Sequence, residues 1–409
     1  FGVLAVWSTY LLGRSLAGRW AGVAACSLMA CSPLFMYGVI QPISDVPAAA
    51  LWVASLAAAI STGDGSGAFR FKRAIGTGLL AGLAIVVRPH LFPLAAVPIM
   101  IVSSGWQQNR WSRQGEEVSR HRLIAAAIMG MLPGVAAVAW LQWRVYGSPF
   151  GSATTAADSV VGLGQAAANM AWYPWWLCSL HTPVLALALL APFVVGLVPR
   201  FWSTATVAGS AAMGSQGATT ENVGHIRGRR NTATPGGPPR HPRWGGSRDA
   251  PPGTPGRTSA SGQLVRDEAR QPAGGGRANQ RAQPPAWRIN RRVWLLLGFA
   301  LAVWVLELPY GSVAEWQQTR ALLPALPVLI VLSVAAAWSL AARRRSAWRR
   351  VALLAIVALV GGWWVHNASE RGIFRAKAIE RKYREAGRYA ATTLAPDAVI
   401  LAVLPAGSI

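Results

Sequence analysis

Lysine is almost missing from this chain of 409 residues, where only Lys72, Lys377 and Lys382 occur. Acidic side chains are scarce as well, 15 against 39 basic ones, so the positive charge is carried almost wholly by arginine. Arginine in place of lysine, with abundant alanine and glycine, is what GC-rich coding produces and points to a bacterial source. Cysteine is nearly absent: Cys26, Cys31 and Cys178 lie in or beside apolar runs, where neither a disulfide framework nor a metal-ligand spacing is recognisable. They read as small apolar packers. No phosphate-cradling glycine loop, HExxH-type zinc spacing or nucleophile elbow occurs, which argues against an ATP-driven pump. His90, His121, His181 and His366 show no pairing at ligand spacing and read as interfacial or loop histidines. The first residue is Phe1 rather than Met, already inside an apolar run, and this reads as a chain whose upstream part is missing.

What is present is apolar. Hydrophobic residues make up 53% and charged ones 13%, too apolar a mixture for the surface of a soluble protein of this size. The net charge of +24 lies in loops and in one insert, without the interleaved aromatics of a nucleic-acid-binding module. These arginines are read as topology signals and contacts to anionic lipid, and nucleic acid is set aside as a partner.

Apolar spans of membrane length alternate with short connections, and almost every second connection is rich in arginine. The basic connections hold Arg14 and Arg19, then Arg70, Lys72 and Arg73, then Arg110, Arg113, Arg120 and Arg122, and finally Arg343, Arg344, Arg345, Arg349 and Arg350. By the positive-inside rule these face the cytoplasm. Spans are expected to end near Leu12 and to cover 20–40, 46–60, 123–143, 183–198, 293–308, 321–342 and 351–365. Residues 75–102 are expected as a hairpin of two short helices turning at Arg88-Pro89, because proline breaks a helix and disfavours helical geometry in the residue before it. Residues 144–181 are expected as an outer loop whose Trp172, Tyr173, Trp175 and Trp176 suit the headgroup layer.

The expected fold is therefore an all-α polytopic membrane protein of nine or ten membrane helices, including the short hairpin, with the start of a small α/β outer domain at the C-terminus. The expected domains are a first membrane part over 1–200, a disordered basic linker rich in Pro, Gly and Arg over 201–292, three further helices over 293–366, and a truncated outer domain over 367–409. That last domain begins as a helix and becomes strand-like over 398–404. The linker cannot bury enough apolar surface to offset its ordering entropy.

Charged groups at membrane depth are costly and so are functional candidates. Asp45, at the outer mouth of a span, has the chemistry of a base, a cation ligand or an orienter of a sugar hydroxyl; the plain alternative is an N-cap for a helix starting at Val46. Arg88, in the middle of the proline-broken hairpin, suits a phosphate bound bidentately, against simple snorkelling to the interface. Arg320 opens the inward span beside Trp316 and helix-breaking prolines, which suits a phosphate or pyrophosphate headgroup, against an interfacial anchor. Tyr146, Asp158, Tyr310, Glu315 and Trp316 also face outward as lining for a sugar pocket.

These motifs, in their order, resemble the GT-C superfamily of polyprenyl-phosphate-sugar-dependent membrane glycosyltransferases, which includes protein O-mannosyltransferases and lipid A aminoarabinose transferases. The resemblance rests on residues 11–19, Ser32-Pro33, Ser44-Asp45-Val46-Pro47, the stretch 78–89 closing with Val87-Arg88-Pro89, Tyr146-Gly147-Ser148-Pro149, and 320–327. It implies inverting transfer of a sugar from a polyprenyl-phosphate carrier to a lipid, glycan or protein acceptor on the outer side of the bacterial cytoplasmic membrane. A carboxylate deprotonates the acceptor while cationic groups stabilise the leaving phosphate. The family's main acidic residue lies in the first outer loop, upstream of residue 1, so the resemblance implies an inactive fragment in which Asp45 matches a secondary acidic position and Arg320 a donor-phosphate region. No metal ligand is assigned, and a divalent cation is left open as cofactor. The competing reading is a secondary transporter or flippase for a lipid-linked or anionic substrate, since broken helices are common in transporters.

Overall fold

The computed structural model describes residues 1–41, 43–63, 67–105, 119–149, 163–195, 291–309, 315–342 and 347–393. The expected linker 201–292, apart from its last two residues, and the strand-like stretch 398–404 lie outside them. The chain divides into one unit of Phe1–Pro199 with Pro284–Ile409 and another of Arg200–Gln283. All of the latter lies outside the described residues.

The first unit is helical, and no strand occurs among the described residues. Helix α1 (Gly2–Ala17) stops at Gly18, whose φ of 93° only glycine adopts without strain, and α2 (Arg19–Cys31) returns alongside it. Ser32 then ends α2 and caps α3 (Pro33–Ile40): Pro33 takes the first helical position and the Phe35 amide donates to Ser32 Oγ at 3.2 Å. The two pieces bend by 57°. Helix α4 (Asp45–Ser61) is followed by α5 (Gly67–Val87), a 3-10 segment (Pro89–Ala95) and α6 (Ala96–Gly105).

The break at Arg88-Pro89 stands where proline predicts it, but the expected pair of short helices is corrected. The first arm is 21 residues long, because it begins at Gly67 and takes in the basic residues assigned to a loop. Those residues terminate α4: Arg70 Nε donates to the Thr62 carbonyl at 3.1 Å and Arg73 Nη1 to that of Ser61 at 2.6 Å. Basic groups on the last carbonyls of a helix satisfy its unpaired acceptors and complement its dipole.

Helix α7 (Arg120–Tyr146) starts at the Ser119 cap and ends at left-handed Gly147. Beyond it the expected outer loop is corrected as well, because Trp172, Tyr173, Trp175 and Trp176 lie on a 19-residue helix, α8 (Leu163–His181). Aromatics spaced by three and four lie on neighbouring helix faces as readily as in an interfacial loop. A bend of 111° then leads into a 3-10 segment (Pro183–Leu190) and the short α9 (Ala191–Val194). After α10 (Arg291–Glu307) come a 3-10 segment (Trp316–Leu322), α11 (Leu326–Ala342), α12 (Ala347–Glu370) and α13 (Ala376–Thr393).

Helix α11 is the axis of the bundle. It packs against α1, α2, α4, α9, α10 and α12, and its Val328, Ile330, Val331 and Leu332 are wholly buried, as expected of a helix apolar on every face. By contrast α7 exposes Ile128, Met129, Leu132 and Trp140, and α12 exposes Val351, Ile356, Leu359 and Trp363, which makes them lipid-facing. By length and apolarity, two helices of the described residues can each cross a bilayer, or five if each bent pair counts as one span. Helices α1, α4, α10 and α11, at 16 or 17 residues, fall just short of the roughly 20 that a straight crossing needs. The protein is a multi-pass membrane protein.

Helices α5 and α7 approach more closely than any side chain would permit. A Cβ added to Gly78 would stand 1.8 Å from the Ala127 carbonyl oxygen, and one added to Gly130 would stand 2.2 Å from that of Ile75. Gly82 and Gly134 continue the same seam one turn on. Small residues four apart on both helices produce this packing where lipid supplies no hydrophobic drive.

Candidate active site

Arg70 and Arg73 of α5, bonded to the last carbonyls of α4, and Arg14 and Arg19, on either side of the α1–α2 turn, lie at one end of the bundle. At the other end, α4 begins, α5 and α10 finish, and α11 is about to start. Four chain breaks meet there, and each delivers one charged group. Proline at 89 stops α5, so Arg88 adopts φ −141° and ψ 89°, after its amide has made the last helical bond to the Ala84 carbonyl at 3.0 Å. Its guanidinium leaves the helix axis and reaches two carboxylates.

Arg88 Nη2 donates to Asp45 Oδ1, and Arg88 Nη1 lies 3.4 Å from Glu307 Oε1. Arg320 Nε, on the 3-10 segment before α11, lies 3.6 Å from the second oxygen, Asp45 Oδ2. His90 Nε2 lies 3.0 Å from Glu307 Oε1. Asp45 and Glu307 are sealed, with side chains only 2% and 4% exposed, while Arg320 is 40% exposed. Buried carboxylates are stable only when paired, and each guanidinium offers the fork that pairs them.

Asp45 is thus the first residue of α4 rather than its cap. Ser44 holds the cap position and makes no side-chain bond there, and the aspartate is drawn instead to the two arginines. Of the candidates read from sequence, Asp45, Arg88 and Arg320 are brought into one cluster. Trp316 flanks it: its ring lies edge-on to Tyr37 at 5.0 Å, and the Tyr37 hydroxyl lies beside Arg320. Tyr146, exposed at the end of α7, makes no hydrogen bond or ion pair with the cluster among the described residues. Tyr310 and Asp158 lie outside those residues, and Glu315 is exposed.

Two members escape the sequence reading. Glu307 is the one carboxylate between residues 291 and 314, a lone acid at the end of an apolar span, and that solitude was its signal. Its placement is fixed from α8, where Tyr173 Oη donates to the Glu307 carbonyl at 3.1 Å and Asn169 Nδ2 to that of Leu308 at 2.9 Å. His90, expected as an interfacial or loop residue, is instead tied to Glu307 across the sequence. His181, given the same expectation, is wholly buried: its Nε2 lies 2.8 Å from Ser32 Oγ, and its carbonyl accepts from Trp364 Nε1 at 2.7 Å. No group of three or more His, Cys, Asp or Glu side chains placed to hold a metal ion occurs among the described residues.

The first 129 residues match the family model of dolichyl-phosphate-mannose-protein mannosyltransferase. This agrees with the GT-C resemblance read from the motifs. The part similar to the mannosyltransferase model contains Asp45, Arg88 and His90 and ends before Glu307 and Arg320. No curated protein and no solved structure matches the chain.

Proposed function

We propose that this cluster belongs to a membrane glycosyltransferase that moves a sugar from a polyprenyl-phosphate carrier to a lipid, glycan or protein acceptor. The reading places the protein in the cytoplasmic membrane of a bacterium, with the cluster on the outer side and the arginine-rich turns in the cytoplasm. The observation that carries it is the convergence of Arg88 and Arg320 on Asp45 at the end of the bundle away from those turns, within a chain whose first third is similar to mannosyltransferases of this type.

In this reading Arg320, the more open guanidinium, receives the carrier phosphate, and Arg88 adds charge from behind. When the acceptor oxygen, its proton passing to the carboxylate that the resemblance implies, attacks the anomeric carbon on the face opposite the phosphate, the bond to the carrier breaks with inversion. The charge that develops on the departing phosphate then meets donors already in place. Asp45 holds both guanidinium groups where they are needed, so they reorganise little during the reaction. Trp316, its ring held edge-on by the buried Tyr37, supplies an aromatic surface of the kind on which a sugar ring packs.

The test is transfer of labelled mannose from dolichyl phosphate mannose by the complete protein in nanodiscs. Arg320→Ala is expected to lower it by about 100-fold or more, as loss of one charge-stabilising donor does elsewhere. Undiminished transfer in both Arg320→Ala and Asp45→Asn would refute the assignment.

A further inference from the structure

We infer that Arg371 heads a second anion site, separate from the ion cluster, that takes the phosphate group of a lipid headgroup. The inference concerns binding alone and does not rest on the glycosyl-transfer reading. It starts from how firmly this guanidinium is held and how little of it is used.

Arg371 is the first residue beyond α12, and Gly372 after it adopts a φ of 70°, so the chain turns there. Asn367, one turn back on α12, is locked in place: its Nδ2 donates to the Ser179 and Leu180 carbonyls of α8 at 2.9 and 3.1 Å. With the amide nitrogen committed to acceptors, Oδ1 faces the other way and accepts from Arg371 Nε at 3.0 Å. Two indoles complete the holder. The guanidinium carbon lies 5.8 Å from the ring centre of Trp176 on α8 and 6.0 Å from that of Trp316 on the 3-10 segment, within cation–π range of both. Three elements distant in sequence thus fix one flat cation.

Its fork is left over. Nη1 and Nη2 make no hydrogen bond, neither is sealed from the surface, and no carboxylate pairs with Arg371 among the described residues. Closing the neighbouring helix end does not use the fork either, because Asn367 takes the Ser179 and Leu180 carbonyls and Trp364 takes that of His181. Arg88 and Arg320 differ in this respect, since both already lie on carboxylates. Two parallel N–H donors in a fixed plane suit an oxyanion held bidentately. The surroundings select phosphate. Trp176 shares α8 with the exposed Trp172 and Trp175, an aromatic belt of the kind that marks the headgroup layer, where phosphate is the common anion. Arg320 follows Trp316 on the same 3-10 segment, so the site adjoins the ion cluster without sharing its cations.

Native mass spectrometry of the purified protein, released from detergent micelles, reads the binding directly. Three probes are used: dioleoyl phosphatidylglycerol, dioleoylglycerol, which has the same chains without the phosphate, and inorganic phosphate as competitor. One phosphatidylglycerol is expected to bind about tenfold or more tightly than dioleoylglycerol. Arg371→Gln should remove that preference, because a hydrogen-bonded pair with a charged partner is worth about tenfold or more. Arg371→Lys keeps the charge and loses the fork, and should bind more weakly than the unsubstituted protein. Arg375→Gln removes the same charge from an exposed side chain four residues on, and should change the affinity by less than about twofold.

Unchanged binding by Arg371→Gln overturns the inference and makes Arg371 an interfacial anchor. Equal weakening by Arg375→Gln overturns it too, by assigning the effect to general surface charge. Where Arg371→Gln does not fold, Arg371→Lys decides alone, and full affinity in that variant overturns the bidentate site. Inorganic phosphate that displaces the lipid at the lipid's own concentration assigns the fork to free phosphate and overturns the headgroup. Glycosyl transfer stands or falls separately from all four results.

Discussion

A carboxylate sealed between two guanidinium groups is costly to leave half-made. Removing Asp45 strands Arg88 and Arg320 against each other, whereas removing a whole pair leaves only a space to fill. Asp45→Ala is therefore expected to lower stability by about 3–5 kcal/mol, read as an earlier aggregation temperature in detergent. Asp45→Ala combined with Arg88→Met should lose less than the sum of the single changes, the non-additivity of residues that share a network. Ser32 is a second residue with two duties, capping α3 and meeting His181, and Ser32→Ala should cost about 1–2 kcal/mol in the same assay. Asp45, Arg88 and Arg320 were legible because an apolar span makes any charge conspicuous. Glu307 carried the same signal unread, whereas its pairing with His90 became visible only when the chain folded, since it spans 217 residues and no local spacing encodes it.

At the scale of the element, breakers were easier to read than helices. Pro89 and Pro183 interrupt the chain where expected, because a missing amide and a fixed φ act locally, whereas Pro33 breaks 20–40, expected as one span, into α2 and α3. The helical nature of 163–181 was hidden by Trp172, Tyr173, Trp175 and Trp176, residues that serve a packed helix as well as a wet interface. The α5–α7 seam gives the sharpest prediction here. Gly82→Leu and Gly130→Leu should each separate the helices and abolish recovery of a monodisperse protein, because the clash is with backbone that cannot rotate away. Gly76, on the same helix with open space around its Cα, is the control: Gly76→Ala should preserve stability or raise it by up to about 1 kcal/mol.

At the scale of the whole molecule, Arg70 and Arg73 close α4 at the end opposite the ion cluster that Asp45 joins at its start, and the basic connections read from sequence assign the arginine end to the cytoplasm. Single cysteines at Ser15 and Glu315, both exposed, in a background lacking Cys26, Cys31 and Cys178, should be labelled by an impermeant reagent from opposite faces of the membrane. Labelling from one face would invalidate the sidedness on which the functional reading depends. The cluster is also electrically even, two carboxylates against two guanidinium groups. On the proposed reading, a carrier phosphate would not fill a bare cationic hole but would compete with an internal rival already seated on the same arginines. Asp45 would then reclaim Arg320 once the sugar has gone, so that a site built this way surrenders its spent carrier instead of being poisoned by it.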